Sequence, residues 1–462
     1  MENTAKQNKM GIMHEGKLLL SMGVPLMLSM LVTALYNIVD TFFVSRIPGM
    51  GDAAANALSL AFPIQMLMTA LNVGTGVGVG ASLSRALGSR DREKVSKTAG
   101  NAMFLYGVYY VAMLLFGLLG AKPFIGMFTD DKDVFSLGVT YLSLVTCLSF
   151  GNMGEKCFEK LLQATGKTTY SMIGQLTGSV INIILDPVFI FGYLGIPAMG
   201  VAGAAIATVI GQCCAIGITA TLHFRKNTEI INHLKYLKPD MEVLRGIMKV
   251  GAPAILMQAL TSFMTLGMNF ILKSVSAAAI TAYGVYYKLQ NFVFMPAFGL
   301  NNACVPIIGY NIGAKNHSRV KNTIRYAIWI VLAIMVSGVI LFQFFAVPIA
   351  EAFRLSEDVS ALCVSALRII SAGFVFAGIN VLLQGVCQAL GSGTGSLVIS
   401  SLRLIVGVLP LAAVLAVFPG AEHFIWIAFP VAETISFAVA IPLTLRLYHK
   451  MTEHMPPYPP TR

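Results

Sequence analysis

The chain has 462 residues, of which 56% are hydrophobic and only 11% are charged, whereas soluble domains carry roughly 25% charged residues. The apolar residues form long uninterrupted runs, so we expect the lipid bilayer to be the main solvent of the fold. The net charge of +11 comes from basic residues in short clusters between these runs, without the interleaved aromatic residues of a nucleic-acid-binding surface. We therefore expect neither a soluble globular protein nor a nucleic-acid partner.

The apolar runs begin directly after a polar N-terminal segment, residues 1–17. The first run, 18–44, is far longer than the roughly 7–15-residue core of a signal peptide, so we expect it to remain in the mature protein. A membrane-spanning helix needs about 20 mostly apolar residues, and polar breaks divide the chain into twelve such runs. We predict transmembrane helices at residues 17–46, 53–86, 98–121, 134–164, 170–192, 200–224, 247–272, 277–311, 323–347, 358–388, 396–418 and 424–447.

Lysine and arginine are distributed unequally between the two ends of these helices. If the N-terminus is inside, the inside segments hold 24 of them, including Arg403 and the long polar stretch at 225–249, and the outside segments hold five. Because cytoplasmic loops are enriched in Lys and Arg, we predict a multi-pass protein with both termini in the cytoplasm. The five outside residues are Arg46, Lys122, Lys132, Lys273 and Arg354.

The two halves of the chain repeat each other at an offset of 225 residues. Gly88 matches Gly313 and Gln163 matches Gln388, and other matches include Gly74 with Gly299, Gly166 with Gly391 and Ser171 with Ser396. We predict an all-α polytopic membrane protein whose twelve transmembrane helices form two six-helix bundles, related by pseudo-two-fold symmetry about the membrane normal, a layout suited to alternating access. The predicted domains are an N-terminal lobe (1–224), a cytoplasmic linker (225–246), a C-terminal lobe (247–448) and a cytoplasmic tail (449–462).

Two acidic residues in the first half stand within apolar runs, where charge is costly and indicates function. Asp40 lies six residues before Arg46, and Asp186 follows Asn182 by four residues, which puts both side chains on one helix face. We predict that the aspartates lie at similar depth and meet, where they can share a proton or bind Na⁺ with the Asn182 oxygen. The alternative is that Asp40 caps a loop or pairs with Arg46. The second half has no acid at the equivalent positions, 265–268 and 409–411, which assigns ion coupling to the N-terminal lobe.

Other residues in the runs are weaker candidates. Glu155 and Glu159, with Lys156 and Lys160 on the adjacent helix face, favour an internal salt-bridge cluster or an inner gate over a substrate-binding site. Pro25 in the first helix predicts a kink, which is either static or a hinge that Asp40 controls.

In the second half, Lys288 is near mid-depth, where it faces the cavity or acts as a snorkelling or counter-ion residue. Arg368 and Glu433 have the same two interpretations. The Met-rich phrases MLMTALNVG (66–74) and MQALTSFM (257–264), with Met257 and Gln258, suit a cavity that re-packs around varied ligands, but such residues also face lipid or neighbouring helices.

Several kinds of chemistry have no sequence motif. The phrase GTGVGVGAS (74–82) follows no strand and indicates close helix packing, and the chain has no GxxxxGK[ST] loop for ATP. No nucleophile–base set indicates an enzyme. The seven cysteines lie in apolar runs without CxxC spacing, which supports neither a disulfide framework nor a zinc site.

Several phrases together resemble the multidrug and toxic compound extrusion (MATE) transporters. The presence of the carboxylate pair in one lobe only resembles the DinF-like branch of that family and its MepA-like group. The resemblance covers nearly the whole chain. Its phrases are GVPLMLSMLVTALYNIVDTFFVSR, ALGSRDREKV, LLQATGKTTYS, NIILDPVFIFG, GVAGAAIAT, PAFGLNNACVPIIGYNIGAKNHSRVKNT and CQALGSGTGS.

This resemblance implies a function. Asp40 is then the coupling carboxylate, with Tyr36, Asn182, Asp186 and Thr208 around it. The expected activity is export of amphipathic, often cationic compounds across the bacterial inner membrane in exchange for H⁺ or Na⁺, without a cofactor and by a monomer. The partners are then small substrates and the lipid bilayer. The alternatives are a flippase for a lipid or lipid-linked precursor, for which Lys288 and Arg368 are the only deep cations, and an exporter of one metabolite.

Overall fold

The computed structural model describes residues 8–44, 46–47, 51–353 and 355–453, and most of them are helical. Within this part of the chain, ten helices and two bent helix pairs are long and apolar enough to cross a membrane, which gives twelve spans. The predicted all-α polytopic membrane fold is thus confirmed. Of the basic residues used to predict topology, Lys6, Arg354 and Arg462 lie outside the described residues.

The twelve spans, numbered in chain order, extend one to six residues beyond most of the predicted limits because polar residues at their ends continue the helices. The first lobe contains α1 (Glu15–Val44), α2 (Gly51–Gly88), α3 (Arg92–Gly126), α4 (Lys132–Cys147 and Phe150–Ala164), α5 (Thr168–Phe191) and α6 (Gly200–Lys226). The second contains α7 (Met241–Val275), α8 (Ala277–Gly313), α9 (His317–Ala352), α10 (Glu357–Ser371 and Phe374–Ala389), α11 (Gly393–Leu415) and α12 (Ala421–Thr452).

Backbone geometry follows the 225-residue repeat. Arg90 and Lys315, one repeat apart, have positive φ angles of 59° and 56°, and each precedes the residue whose side chain caps the next helix. Gly166 and Gly391 have φ angles of 84° and 80°, which glycine adopts without a Cβ clash. The repeat in the sequence therefore determines the turns as well as the helices.

Both α4 and α10 are bent spans. Their two segments meet at 42° in α4 and at 55° in α10, and the first segments end at Cys147 and Ser371, about one repeat apart. The second segments, α4b (Phe150–Ala164) and α10b (Phe374–Ala389), both carry buried polar side chains. The bend thus belongs to the repeat, and it gives each lobe a short polar helix.

Residues 227–240 connect the lobes, because α6 ends at Lys226 and α7 begins at Met241. We call the membrane side that holds this segment the linker side and the opposite side the far side. Since each lobe has six spans, α1 and α7 both begin on the linker side.

The two lobes meet closely on the linker side. A Cβ atom on Gly88 would lie 1.9 Å from the Tyr310 carbonyl oxygen, and one on Gly313 would lie 2.0 Å from the Arg85 carbonyl oxygen. Deeper contacts of the same kind join Gly74 to Ile255 and Gly299 to Met27. Because even a methyl group does not fit at these points, the linker-side half of the interface between the lobes is closed.

The prediction that Arg403 lies in an inside segment is wrong. Arg403 is in the interior of α11, in a stretch of π-helix from Leu402 to Gly407, and its side chain is 8% exposed. It pairs with Glu433 of α12. A charge is tolerated at this depth when a counter-ion accompanies it, so an isolated Arg within an apolar run does not by itself mark a cytoplasmic segment.

Candidate functional site

The predicted site residues of the first lobe come together in its far-side half. Tyr36 and Asp40 occupy the last turns of α1, Asn182 and Asp186 the last turns of α5, and Thr208 the first half of α6. Asp186 is fully buried and Asn182 nearly so. Three helices thus bring five polar side chains into one apolar region, which we call the acidic cluster.

Asn182 joins α5 to α6 within the acidic cluster. In the amide orientation that satisfies its neighbours, the nitrogen donates to Asp186 Oδ2 at 3.1 Å, and the oxygen accepts from the Thr208 backbone N–H at 3.0 Å and hydroxyl at 3.2 Å. The Tyr36 hydroxyl also hydrogen-bonds Thr208. Thr208 of α6 is therefore linked to both helices that carry an aspartate. It bonds Asn182 of α5, which carries Asp186, and Tyr36 of α1, which carries Asp40.

Asp40 and Asp186 interact electrostatically. The Asp40 Oδ1 atom is buried and has no hydrogen-bond partner among the described residues. No ion pair joins either aspartate to a basic residue in that part of the chain, and the Arg46 guanidinium lies 4.0 Å above the ring of Phe42 instead. Two neighbouring carboxylates in a poorly solvated site require a proton or a cation between them.

The Asn182 amide can serve either ion. With its nitrogen toward Asp186 it donates to that carboxylate, and with its oxygen there it would join the two carboxylates as a Na⁺ ligand. No group of three or more His, Cys, Asp or Glu side chains is arranged to hold a metal ion within the described residues.

Two members of the cluster were missed by sequence reasoning. Tyr141 of α4 is 4% exposed, interacts electrostatically with both aspartates, and accepts a hydrogen bond from Gln65 Nε2 at 2.8 Å. A tyrosine in an apolar run gives no signal of its own. Gln65 does give a signal, because it matches Gln290 at the 225-residue offset, but a match within the repeat does not by itself mark a functional site.

We predict that Thr208→Ala weakens the acidic cluster without unfolding the lobe. The substitution removes the hydroxyl that bonds Asn182 and Tyr36, and each lost bond costs about 1 kcal/mol. The midpoint of thermal denaturation in detergent should fall by a few degrees. Thr208→Ser keeps the hydroxyl and is the matched control; equal losses in both variants would contradict the assigned role of the bond.

A second polar cluster, the α4b cluster, lies toward the linker side. Lys156 pairs with Glu155 at 3.1 Å and with Glu159 at 2.7 Å. Gln163 donates to Glu159 at 2.6 Å and accepts from Lys160 at 2.9 Å. All five residues are buried or half-buried, and the structure contains the predicted salt-bridge cluster. Its role as a gate stays a prediction.

The α4b cluster reaches the interface between the lobes. A cavity of about 20 Å³ lies there, lined by Lys160 and Gln163 of the first lobe and by Asn302 and Val305 of α8. A volume of this size holds about one water molecule. Separation of the lobes on the linker side would thus expose Lys160.

The second lobe contains a buried ion pair between Arg403 and Glu433. The sequence indicated Glu433 as a candidate within an apolar run but placed Arg403 in an inside segment. Arg403 Nη2 lies 2.8 Å from Glu433 Oε1, and its Nε is 2.9 Å from both carboxylate oxygens. Asn380 of α10b donates to Glu433 Oε2 at 2.8 Å. Glu433 corresponds in the repeat to Thr208 of the acidic cluster. The second lobe therefore has one acid here that is paired with a basic residue, whereas the two aspartates of the first lobe have no basic partner among the described residues.

The remaining candidates do not join either cluster. Lys288, Arg368 and Gln258 have exposed side chains. The Met257 sulfur accepts from Ser396 Oγ at 3.2 Å and from Gln388 Nε2 at 3.8 Å, which is a packing contact within the second lobe.

Pro25 lies inside α1, which continues through it as one helix. The helix is held there on the second lobe, because Gly299 of α8 packs against Met27. Whether Pro25 acts as a hinge stays a prediction.

The fold and the acidic cluster define a polytopic helical membrane protein with two homologous lobes and an intramembrane pair of carboxylates. The chain matches the MatE family model over residues 25–188 and 253–429, and it belongs to that family.

Two similar proteins are named as multidrug exporters. It is 28% identical over 452 residues to the multidrug export protein MepA of Staphylococcus saprophyticus, with 96% of this chain and 94% of that protein covered. MepA of Staphylococcus aureus is also 28% identical, over 441 residues that cover 94% of this chain and 95% of the relative. A solved outward-facing multidrug resistance MATE family transporter of the MOP superfamily superimposes with a TM-score of 0.91, at 24% identity, over 98% of this chain and all of that one.

Proposed function

We propose that the protein is a secondary active multidrug efflux transporter that exports amphipathic, often cationic compounds in exchange for H⁺ or Na⁺. The observation that carries this proposal is the pair of carboxylates, Asp40 and Asp186, that interact in the first lobe without a basic partner among the described residues. The family assignment and the MepA relatives support the choice of substrate class.

The acidic cluster explains how exchange would be coupled. A proton or Na⁺ at Asp40 neutralises negative charge, and a cationic substrate near the same carboxylates competes for that charge. Binding of one therefore weakens binding of the other, which is the differential affinity that an exchange cycle needs. In this mechanism the protein holds two acids together in an apolar environment, and the hydrogen-bonding partners around them are neutral.

The arrangement of the lobes supports an alternating-access cycle. The contacts at Gly88 and Gly313 close the linker side, and the rigid rocking of one bundle against the other is the common motion of such paired repeats. We infer that this conformation is closed to the linker side, and that the linker side faces the cytoplasm of a bacterial inner membrane, because most basic residues lie on it.

The test is Asp40→Asn, compared with Asp52→Asn as a matched control. Asp40 lies in the acidic cluster, whereas Asp52 is exposed at the far-side start of α2. In vesicles with equal amounts of protein, we expect gradient-driven efflux of a cationic dye to fall to the background of empty vesicles for D40N and to stay at the parent level for D52N. Undiminished efflux by D40N would refute the proposal.

The coupling ion is identified by imposing a proton gradient and a sodium gradient separately on the same vesicles. Efflux driven by the proton gradient alone would identify Asp40 and Asp186 as the groups that carry the proton. Drive by the sodium gradient alone would instead assign Asn182, with Asp40 and Asp186, as the Na⁺ ligands.

A further inference from the structure

The chain segment that precedes α1 bridges the two lobes on the linker side. We call residues 8–15 the N-strap. At its start, Asn8 Nδ2 donates to the Thr165 carbonyl oxygen at 3.0 Å and to Glu229 Oε1 at 3.1 Å. Thr165 lies at the end of α4b, and Glu229 is ion-paired with Lys167. The start of the N-strap is thus fixed to the first lobe.

The rest of the N-strap binds the second lobe. Asn311 of α8 donates to the Met10 carbonyl oxygen at 3.2 Å, and Arg319 of α9 donates to the carbonyl oxygens of Met10 and Met13. Arg319 also lies 3.7 Å from Glu15 Oε1. The Met10 side chain is fully buried in the core cluster of the second lobe. The contacts of Arg319 are charge-assisted and mostly buried, so they hold the strap more strongly than a surface contact would.

The segment that precedes α7 makes the reciprocal connection. We call residues 236–240 the linker strap. Asn101 of α3 accepts from the Asp240 backbone N–H at 2.8 Å and donates to the Lys238 carbonyl oxygen at 3.5 Å. A Cβ atom on Gly100 would lie 2.1 Å from the Tyr236 carbonyl oxygen. The leading segment of the second lobe is therefore packed on the first lobe.

We propose that the N-strap and the linker strap are paired latches that keep the linker side closed and must be released before it opens. Each strap precedes the first helix of one lobe and binds the other lobe. Residues 8 and 236 are 228 positions apart, the same offset that relates Pro25 to Pro253 at the start of the two lobes. The proposal rests on the alternating-access part of the proposed function.

The repeat provides a control for the Arg319 contacts of the N-strap. Arg319 in the second lobe corresponds in the repeat to Lys94 in the first. Lys94 has an exposed side chain at the start of α3, whereas the Arg319 side chain is 14% exposed. Arg319→Gln therefore removes a latch contact, and Lys94→Gln removes an equivalent positive charge on the same membrane side without touching a strap.

The experiment measures how fast a water-soluble maleimide modifies one introduced cysteine in the purified full-length protein, after replacement of the seven native cysteines. Val305→Cys is the reporter, because Val305 is 5% exposed and lines the cavity between the lobes. We expect Arg319→Gln to raise the modification rate at least about fivefold, as the loss of one or more charge-assisted bonds implies. Asn101→Ala should also raise it, and Lys94→Gln should leave it unchanged.

Unfolding is distinguished by a second reporter, Met335→Cys, which lies in the second-lobe core and is fully buried. Faster labelling at 305 with unchanged labelling at 335 supports release of the latch. Parent-rate labelling at 305 in either strap variant, or faster labelling at 335 as well, overturns the proposal. Since labelling requires no substrate or ion gradient, its result is independent of whether Asp40 couples transport.

Discussion

Arg403→Leu is expected to be one of the most destabilising single substitutions in this protein, lowering the free energy of unfolding by about 3–5 kcal/mol. Arg403 and Glu433 form a two-point ion pair, with distances of 2.8 and 2.9 Å. Removing the guanidinium leaves the Glu433 carboxylate in an apolar region, where Asn380 is its one remaining side-chain donor among the residues that the structure describes. A marked fall in the midpoint of thermal denaturation in detergent, with poor expression, is the measurable result.

The matched variants separate charge from packing. The double substitution Arg403→Leu with Glu433→Leu removes both charges, and replacement of a buried ion pair by apolar residues is often neutral, so it should recover most of the lost stability. Arg368→Leu removes an arginine whose side chain is exposed and should change little. If the double variant is as unstable as Arg403→Leu, the pair stabilises the fold through the shape of its side chains and not through their charges.

Much of the fold could be predicted from the sequence because the bilayer imposes strict lengths and the repeat supplies an internal comparison. Hydropathy located all twelve spans, and Gly88 and Gly313, matched at one offset, proved to be reciprocal contact points between the lobes. The bends in α4 and α10 were not predicted, since each was read as one continuous apolar run. The two breaks follow Cys147 and Ser371, and neither contains a proline to mark it.

The acidic cluster was predictable where the spacing itself carried the information. Asn182 and Asp186 are four residues apart and share a helix face, and their hydrogen bond follows from that. Arg403 was misplaced, because its counter-ion Glu433 is 30 residues away along the chain and only the packing of α11 on α12 brings them together. Tyr141 was missed for the same reason. Contacts between distant segments are what single-sequence reasoning lacks.

Lys156→Met is the second substitution with a large expected effect. Lys156 is the shared counter-ion of Glu155 and Glu159, whose side chains are 6% and 2% exposed. Its removal leaves two neighbouring buried carboxylates, one of which already has an oxygen without a hydrogen-bond partner in the described part of the chain. We expect a loss of about 3–5 kcal/mol of stability, measured as a lower denaturation midpoint and a smaller monodisperse fraction.

The second lobe provides the compensating variant for this cluster. At the positions equivalent to Glu155, Lys156 and Glu159 it has Asn380, Val381 and Gln384. These three neutral residues lie on α10b, so the corresponding bent span folds without charges at these positions. Lys160 is buried beside the two acids, and its repeat equivalent, Gly385, is uncharged, so its charge must be removed with theirs. The quadruple substitution E155N/K156V/E159Q/K160M should therefore restore the stability that K156M loses. If its efflux is still reduced at parent stability, the charges of the α4b cluster act in the transport cycle. If its efflux equals the parent's, the cluster is only structural and the gate hypothesis is wrong.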